Sequence, residues 1–352
     1  MNIKITGSGC YIPSQKVTNQ DFSGRQFLNE DGSNFKDDNN TVAEKFFQIT
    51  GIEQRRYAEK HHNTSDIAFF AAEIAIKNAK IDAETLDYII VAHNYGDLHF
   101  GSVQTDTVPS LAARVKHKLQ IINPKCVAYD ILFGCPGWIE GVIQAQAFIK
   151  AGMAKKCLII GAETLSRIVD IHDRDSMIYA DGAGATVLEL VEDEGGIIAH
   201  ESATYSFDEV DFLNFGRSYN KNLDQNIKYL KMQGRKIYEF ALSHVPNAMA
   251  SCLQKSGINI NDVKKILIHQ ANGKMDEAIV NRFYKLYDKK MPEGIMPMSI
   301  KNLGNSSVAT IPTLYNLIIN GEIENQKISK GDVIIFASVG AGMNINAIVY
   351  RY

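Results

Sequence analysis

The chain alternates short continuous apolar runs with stretches of helical periodicity. The runs at residues 157–160 and 333–336 consist of Leu, Ile, Val and Phe with one Cys, and each is as short as a strand. Runs of this kind are typical of strands that are covered on both faces. Residues 139–149 carry apolar side chains almost all round a helical period, which predicts a central buried helix. Strands that alternate with helices predict an α/β protein.

The same order of elements occurs twice along the chain. A helical segment and a short polar link precede an apolar strand with a polar tip at residues 86–94, and this order recurs at residues 263–271. A repeat of this length predicts two related α/β halves. The acidic, glycine-containing link at 192–196 is the expected boundary, and it divides the chain into residues 1–193 and 194–352.

Two Gly-Ala-Gly triplets occupy equivalent places near the ends of the two halves, at residues 182–184 and 340–342. Glycine adopts a positive φ at little cost and lets another backbone approach closely. We therefore expect each triplet to form a turn that leads into a strand.

Composition narrows the class of protein. The 352 residues exceed the usual size of a single core, and 45% apolar with 22% charged residues is typical of a globular protein. A formal net charge of −3 argues against a nucleic-acid partner, and no apolar run is long enough to predict a membrane span. The first residues resemble a strand more than an export signal. Five cysteines without a C-x-x-C pair and nine histidines without metal-ligand spacing predict a cytoplasmic protein with no metal site.

Cys135 is the first candidate for chemistry. It follows a strand-like run that ends at Gly134, and a helical pattern begins directly after it. A thiol at a helix N-terminus is well placed to form a stabilised thiolate. A cysteine at such a junction can also be a buried apolar residue, and for this segment taken alone that alternative is the stronger one.

Two later segments favour the chemical interpretation. His269 stands at the end of an apolar strand in a His-Gln-Ala-Asn segment, and Asn305 lies in a Gly-Asn-Ser turn ahead of another helical stretch. A thiolate attacks a thioester or ester, while an imidazole and an amide donate hydrogen bonds to the developing oxyanion. Cys135, His269 and Asn305 are therefore the predicted catalytic residues.

Two segments lack a clear period. Residues 22–40 and 93–108 are polar stretches with several Asn, Asp and Gly, and we expect loops in both. Long structured loops in compact domains are often lids or binding elements. A solvated insertion is an equal alternative for the first segment. We favour a binding role for residues 93–108, because this segment starts at the tip of an apolar strand, at the same end as the candidate site.

With these segments the chain resembles the β-ketoacyl-acyl-carrier-protein synthase III family of the thiolase superfamily. The Cys, His-Gln-Ala-Asn and Gly-Asn-Ser segments are the specific part of the similarity, which runs along nearly the whole chain. The resemblance implies a five-layer αβαβα sandwich made of two duplicated halves. The matching segments lie at residues 5–13, 50–55, 129–138, 181–185, 232–234, 269–272, 304–306 and 340–342.

The resemblance also implies a condensing enzyme that forms a C–C bond by a Claisen reaction. An acyl group held on Cys135 would condense with a malonyl or similar thioester on acyl carrier protein, giving a β-ketoacyl product. His269 and Asn305 would donate to the thioester oxygen, and the backbone N–H groups of Cys135 and Ala341 would form the oxyanion hole. Coenzyme A and phosphopantetheine thioesters are the implied substrates, with no resident cofactor, and a homodimer is the implied assembly.

A further set of residues is expected along the path of the pantetheine arm and its phosphates. Its basic members follow family motifs, and a basic rim would attract an acidic carrier protein despite the negative net charge. An ordinary solvated charge is the alternative for each of them. The set is Arg167, Met232, Gly234, Arg235, Asn272 and Lys274.

Some positions depart from the family pattern. Lys45, Phe46 and Ile49 stand where the family often has a Trp and an Arg for the adenine of coenzyme A, and Phe133 and Pro136 flank the nucleophile. These departures and the two long loops make a specialised ketosynthase the alternative, one that joins two acyl or β-ketoacyl thioesters into a cyclic dione or resorcinol-type product. A non-catalytic binding subunit is the alternative from another class, and the complete Cys, His and Asn set argues against it.

Overall fold

The computed structural model describes residues 2–352, which form thirteen β-strands and eight α-helices. The strands are β1 (Asn2–Tyr11), β2 (Gln15–Thr18), β3 (Gln54–Tyr57), β4 (Tyr88–Ala92), β5 (Val127–Ile131), β6 (Lys156–Thr164), β7 (Asp181–Val191), β8 (Gly196–Thr204), β9 (Leu213–Arg217), β10 (Lys228–Met232), β11 (Val263–Ile268), β12 (Val333–Gly340) and β13 (Asn344–Arg351). The helices are α1 (Asn39–Thr50), α2 (Thr64–Ala79), α3 (Leu111–Lys118), α4 (Gly137–Lys150), α5 (Gly234–Ser256), α6 (Gly273–Lys285), α7 (Ile300–Leu303) and α8 (Thr310–Ile319). Within the described residues, none of these helices is long and apolar enough to cross a membrane.

Two large sheets repeat one topology. The first has the order β1-β7-β6-β4-β5, in which β7 runs antiparallel to both of its neighbours while β6, β4 and β5 are parallel. The second has the order β8-β13-β12-β11, again with an antiparallel second strand and parallel pairing after it. Beside β11, the N–H of Ile266 donates to the carbonyl of Ile295 at 2.8 Å, so an irregular segment takes the place that β5 has in the first sheet. The predicted duplication is confirmed.

Helices α4 and α8 fill the space between the two sheets. Trp138 of α4 and Leu314 of α8 are almost fully buried in one cluster with Ile159 of the first sheet and Phe336 of the second. A helix that is covered on all sides must be apolar all round, and burying each large apolar side chain is worth about 1.5–3 kcal/mol. Helices α2 and α3 cover the outer face of the first sheet, and α5 and α6 cover that of the second. The predicted five-layer αβαβα sandwich is confirmed.

The two Gly-Ala-Gly triplets have different structures, so the prediction of a turn in both places was wrong for the first. Residues 182–184 lie inside β7, where all three pair with β6 and the last two also pair with β1. A Cβ on Gly184 would lie 2.7 Å from the backbone nitrogen of Thr313, so glycine is needed there for the close approach of α8. Residues 340–342 do form a turn, in which Gly342 has φ +75°.

The chain leaves the first sheet at Val191 and enters the second at Gly196. The halves also contact each other directly, since the N–H of Ile5 donates to the hydroxyl of Tyr350 at 3.0 Å. The middle layer of α4 and α8 is shared by both sheets. The division into residues 1–193 and 194–352 as separate units stays a prediction.

Candidate active site

Cys135 stands at the junction between β5 and α4. Gly134 adopts φ +66°, a left-handed conformation that suits glycine. This bend turns the chain from the strand into the helix, with Pro136 at the cap position and Gly137 as the first helical residue. The thiol therefore lies at the N-terminal end of a buried helix.

His269 directly follows β11. Its backbone N–H donates to the carbonyl of Ala337 on the neighbouring strand at 2.8 Å. The next side chain, Gln270, donates to the carbonyl of Pro297 at 2.9 Å and accepts from the N–H of Ile300 at 3.0 Å, which holds the strand end against the following loop. The imidazole is buried, and its Nδ1 has no partner among the described residues.

Asn305 lies in the turn that follows α7, where Gly304 has φ +66°. Its backbone N–H donates to the carbonyl of Ile178 at 3.0 Å, and its carbonyl accepts from the N–H of Ala180 at 2.8 Å. Its side-chain Oδ1 accepts from the N–H of Ser307 at 2.8 Å. Because the carbonyl end of the amide is occupied, the NH₂ end is the one that can donate to a ligand.

Cys135, His269 and Asn305 line one cavity of about 370 Å³, a size that suits a small ligand or part of a larger one. The chain thus brings together one thiol, one imidazole and one amide from three distant segments. Most of the remaining wall is apolar. It includes Val42, Phe46, Ile49, Ile178, Leu213, Met232, Ile237, Met275, Val339 and Met343.

Burial sets the charge states at the centre of this cavity. It raises the pKa of the Cys135 thiol to about 11, although the hydrogen bond from Ser307 acts in the opposite direction. It lowers the pKa of His269 to about 4, so the imidazole is neutral at pH 7. The sequence predicts a thiol pKa lowered by the helix N-terminus, and here desolvation outweighs that effect. The resting pair is therefore a thiol and a neutral imidazole.

The turn at residues 340–342 packs directly against Cys135. A Cβ on Gly340 would lie 2.3 Å from the backbone nitrogen of Cys135, and a Cβ on Gly134 would lie 2.5 Å from that of Ala341. The amide of Asn344 donates to the carbonyl of Ala341 at 2.9 Å and contacts that of Phe133 at 3.3 Å, which ties the two loops together. The backbone at Cys135 and the backbone at Ala341 thus belong to two loops in close contact.

Four of the residues expected along the pantetheine arm line the cavity, namely Met232, Gly234, Arg235 and Asn272. The side chain of Arg235 is 91% exposed and pairs with Glu239 at 2.9 Å, so it marks the outer end of the cavity. Asn272 caps α6, with its Oδ1 accepting from a backbone N–H in the first turn. The same continuous wall therefore reaches from Cys135 to the mouth of the cavity.

Arg167 does not line this cavity, which corrects its assignment to the pantetheine path. Its guanidinium donates to the carbonyls of Leu98, Glu59 and His62 at 2.5, 3.0 and 2.5 Å. Donors that are used by backbone carbonyls hold loops in place and are not available to a phosphate. Lys274 is exposed in the first turn of α6 and is not part of the cavity wall either.

The sequence left the role of residues 22–40 open, and the structure brings this segment to the cavity. Phe35 and Asp37 form part of the wall. An aromatic residue within a polar stretch is the one signal that could have indicated this. Asp175 also lines the cavity without any motif to mark it, and burial together with the charge of Asp173 raises its pKa to about 6. Within the described residues, no cluster of His, Cys, Asp or Glu could hold a metal ion.

Comparison with known proteins identifies the family. A family model described as 3-oxoacyl-[acyl-carrier-protein (ACP)] synthase III matches residues 129–206, and the model of its C-terminal part matches residues 253–352. β-Ketoacyl-[acyl-carrier-protein] synthase III 1 of Halalkalibacterium halodurans is 32% identical over 99% of this chain and 98% of its own length. The synthase III of Staphylococcus haemolyticus is 32% identical over 100% of this chain and 99% of its own. The crystal structure of 3-oxoacyl-[acyl-carrier-protein] synthase III from Aquifex aeolicus has a TM-score of 0.81 and 29% identity over the full length of both chains. The chain therefore belongs to the β-ketoacyl-[acyl-carrier-protein] synthase III family of condensing enzymes.

Proposed function

We propose that Cys135, His269 and Asn305 carry out the Claisen condensation of this family. The observation that supports this assignment is their convergence on one cavity of about 370 Å³ with largely apolar walls. Each of the three sits on backbone that is held by hydrogen bonds or a glycine bend, so the reacting geometry is organised before a substrate binds. An apolar wall also excludes the water that would hydrolyse an acyl-enzyme.

In the first half-reaction the sulfur of Cys135 attacks the carbonyl carbon of an acyl thioester. A new C–S bond forms, the bond to the carrier sulfur breaks, and the carrier leaves as a thiol that takes up the proton lost by Cys135. Negative charge develops on the carbonyl oxygen during this exchange. The N–H groups of Cys135 and Ala341 are the proposed donors to it, and the contact between their two loops supports this role.

In the second half-reaction a malonyl or similar thioester occupies the same cavity. The bond to its carboxylate carbon breaks, CO₂ leaves, and the remaining electron pair forms an enolate. The enolate carbon attacks the acyl carbonyl on Cys135, so a C–C bond forms and the thiolate is released. His269 and Asn305 would donate hydrogen bonds to the enolate oxygen. A neutral His269 supports this role, since it keeps one ring N–H as a donor and does not titrate near pH 7.

The proposed substrates are thioesters of acyl carrier protein and, for the first acyl group, of the carrier protein or coenzyme A. The names of the relatives include the acyl carrier protein. Three cationic side chains line the cavity and offer positive charge to a phosphate, namely Lys45, Arg174 and Arg235. Each of them also pairs with one neighbouring carboxylate, respectively Asp37, Asp175 and Glu239. Cationic side chains at a cavity wall favour the approach of an acidic carrier.

The cytoplasm is the proposed compartment. All five cysteines are unpaired. Unpaired cysteines are the usual state in a reducing compartment.

Intact-protein mass spectrometry after incubation with a thioester panel tests the proposed function. The panel holds acetyl, medium-chain, long-chain and β-ketoacyl groups, each on coenzyme A and on acyl carrier protein. We expect a mass gain equal to one acyl group, because Cys135 forms a covalent thioester. The gain should vanish in Cys135→Ala and persist in Cys10→Ala, which removes a half-buried thiol outside the cavity.

The acyl group that is taken up distinguishes two kinds of ketosynthase. A gain confined to acetyl-coenzyme A supports a fatty-acid initiator, and a gain from longer or β-ketoacyl groups supports the specialised ketosynthase. A gain that survives Cys135→Ala, or no gain with any donor, contradicts the covalent mechanism and favours a non-catalytic binding subunit.

We further propose a homodimer formed through the edge of the first sheet. Strand β5 is the last strand of that sheet, and an open edge offers unpaired N–H and C=O groups to a second strand. Large apolar side chains are exposed on and around it, with Val127 46%, Leu132 70% and Ile122 87% exposed. The loop at residues 93–108 begins beside the end of β5, where the N–H of His93 donates to the carbonyl of Ile131 at 3.2 Å, and it exposes Val108 at 85%. Exposed apolar surface of this extent marks an interaction site.

Sedimentation equilibrium tests the dimer. We expect twice the mass of one chain at micromolar concentration. Val127→Asp introduces a charge on the proposed interface and should weaken association by about tenfold or more, since a buried unpaired charge is costly. Phe207→Asp is the matched control, because Phe207 is 94% exposed and belongs to another part of the surface. A wild-type monomer, or equal effects of both substitutions, contradicts the proposed interface.

A further inference from the structure

A chain of buried hydrogen bonds runs from the sulfur of Cys135 away from the cavity. The hydroxyl of Ser307 donates to this sulfur at 3.3 Å. The amide of Asn94 donates to the oxygen of Ser307 at 2.9 Å and also to a carboxyl oxygen of Glu163. The Claisen steps assigned above use none of these three residues, although two of them, Ser307 and Glu163, are almost fully buried.

We propose that Ser307, oriented by Asn94 and Glu163, is a positioning residue that stabilises the thiolate of Cys135. The proposal rests on the proposed function, in which that thiolate is the nucleophile. A serine hydroxyl has one hydrogen and a limited number of acceptor sites. Because Asn94 donates to the oxygen of Ser307, the hydroxyl hydrogen is left for one of two neighbouring acceptors, the sulfur of Cys135 or the carboxyl of Glu163. A charged acceptor forms the stronger hydrogen bond, so the thiolate takes this hydrogen in preference to a neutral Glu163.

Glu163 fixes the orientation of the Asn94 amide within this chain of hydrogen bonds. An amide group can flip between its two ends, and a carboxyl oxygen that accepts from Nδ2 of Asn94 selects one of them. Burial raises the pKa of Glu163 to about 8, so the carboxyl is mainly neutral at pH 7 and its oxygen still accepts. A neutral carboxyl beside the nucleophile also avoids the repulsion that a carboxylate would exert on the thiolate.

The backbone of Ser307 supports a role beyond packing. Ser307 has φ +53°, which is uncommon for a residue with a side chain and is typical of functional turns. The same residue donates its N–H to Oδ1 of Asn305 at 2.8 Å. One strained residue thus contacts both the nucleophile and the predicted amide donor. A hydrogen bond to a charged acceptor is stronger than one to a neutral acceptor, so Ser307 favours the thiolate over the thiol.

Alkylation of Cys135 by iodoacetamide tests this proposal without any thioester. The rate at pH 7 and its pH profile are followed by mass mapping of the Cys135 peptide. Ser307→Ala should alkylate about tenfold more slowly than wild type at pH 7, because loss of a hydrogen bond to a charged group raises the thiol pKa by about one unit. Ser307→Gly should show the same loss, and glycine tolerates the positive φ if alanine impairs folding.

Two further variants separate orientation from charge. Asn94→Ala should slow alkylation in the same direction, because the hydroxyl is no longer fixed. Glu163→Gln keeps an oxygen that accepts from Asn94 and should retain the wild-type rate at pH 7. The titratable groups around the thiol are Glu163, His269, Tyr179 and Asp181. Burial raises the pKa of Glu163 to about 8, so Glu163 should contribute an inflection that disappears from the profile of Glu163→Gln.

Ser306→Ala is the matched control, since this neighbouring buried hydroxyl contacts Thr310 at 3.3 Å and not the sulfur. Wild-type alkylation rates in both Ser307 variants, or an equal loss in Ser306→Ala, would overturn the proposal. The outcome is independent of the thioester panel. A protein that takes up no acyl group yet shows the Ser307 effect refutes the condensing role and keeps the positioning role. A protein that takes up an acyl group yet shows no Ser307 effect supports the condensing role and refutes the positioning role.

Discussion

Cys135→Ala is expected to abolish condensation, with a fall of about 10⁴-fold or more, while decarboxylation of a malonyl thioester continues. The acyl group has no attachment point without the sulfur, so the C–C bond cannot form. Loss of CO₂ requires only that the enolate oxygen receive hydrogen bonds, and the proposed donors His269 and Asn305 are unchanged. Product analysis by mass spectrometry, with CO₂ release measured in parallel, separates the two steps.

Cys10→Ala serves as the control for this experiment, because it removes a thiol from the first half without touching the cavity. It should retain both condensation and decarboxylation. Residual condensation in a folded Cys135→Ala protein would refute the covalent intermediate. Loss of decarboxylation together with condensation would show that the thiol also takes part in the second half-reaction.

His269→Ala and Asn305→Ala are each expected to lower condensation by about 10²–10³-fold and to leave acylation of Cys135 within a few-fold of wild type. The expected fall in the condensation rate is the one seen when a single oxyanion donor is removed from a preorganised site. Acylation uses the backbone donors at Cys135 and Ala341, which neither substitution removes. Single-turnover acylation, followed by intact mass, and steady-state condensation together give the two rates.

Asn302→Ala is the matched control, since Asn302 is exposed and lies in the same segment as Asn305. It should leave both rates unchanged. Equal losses of acylation and condensation in His269→Ala would assign the imidazole to the first half-reaction, most simply as the base that takes the thiol proton. Thermal unfolding of each variant distinguishes these outcomes from loss of the fold.

The architecture and the convergence of Cys135, His269 and Asn305 on one cavity could be predicted because their signals are local. Apolar runs that are buried on both faces look alike wherever they occur, so the repeat of residues 86–94 at 263–271 was visible in sequence. Cys135, His269 and Asn305 each follow an element end, and the carboxyl ends of parallel strands and the helix N-termini meet at one side of such a fold. Three local patterns therefore indicated one place in space.

The remaining parts of the cavity depend on contacts between distant segments. Arg167 follows a strand end, as a phosphate ligand would, and only the structure shows that the carbonyls of Glu59, His62 and Leu98 surround it. Gly184 looks like a turn residue, yet it is required by the approach of a helix more than a hundred positions later. Propensity and motif indicate the roles that a residue can have. Contacts with residues far along the chain decide which of these roles it has.

The duplicated fold has a consequence for how such a site can arise. His93 and His269 stand at equivalent strand ends, but His93 bonds to Asp130 at 3.0 Å inside the first half, while His269 faces the cavity. Cys135 and Asn305 likewise precede α4 and α8, the matching helices of the two halves. Two identical subunits would have to carry the same residue at both of these positions. Joining the copies in one polypeptide breaks that symmetry, so that one copy can specialise as the nucleophile and the other as its hydrogen-bond donors.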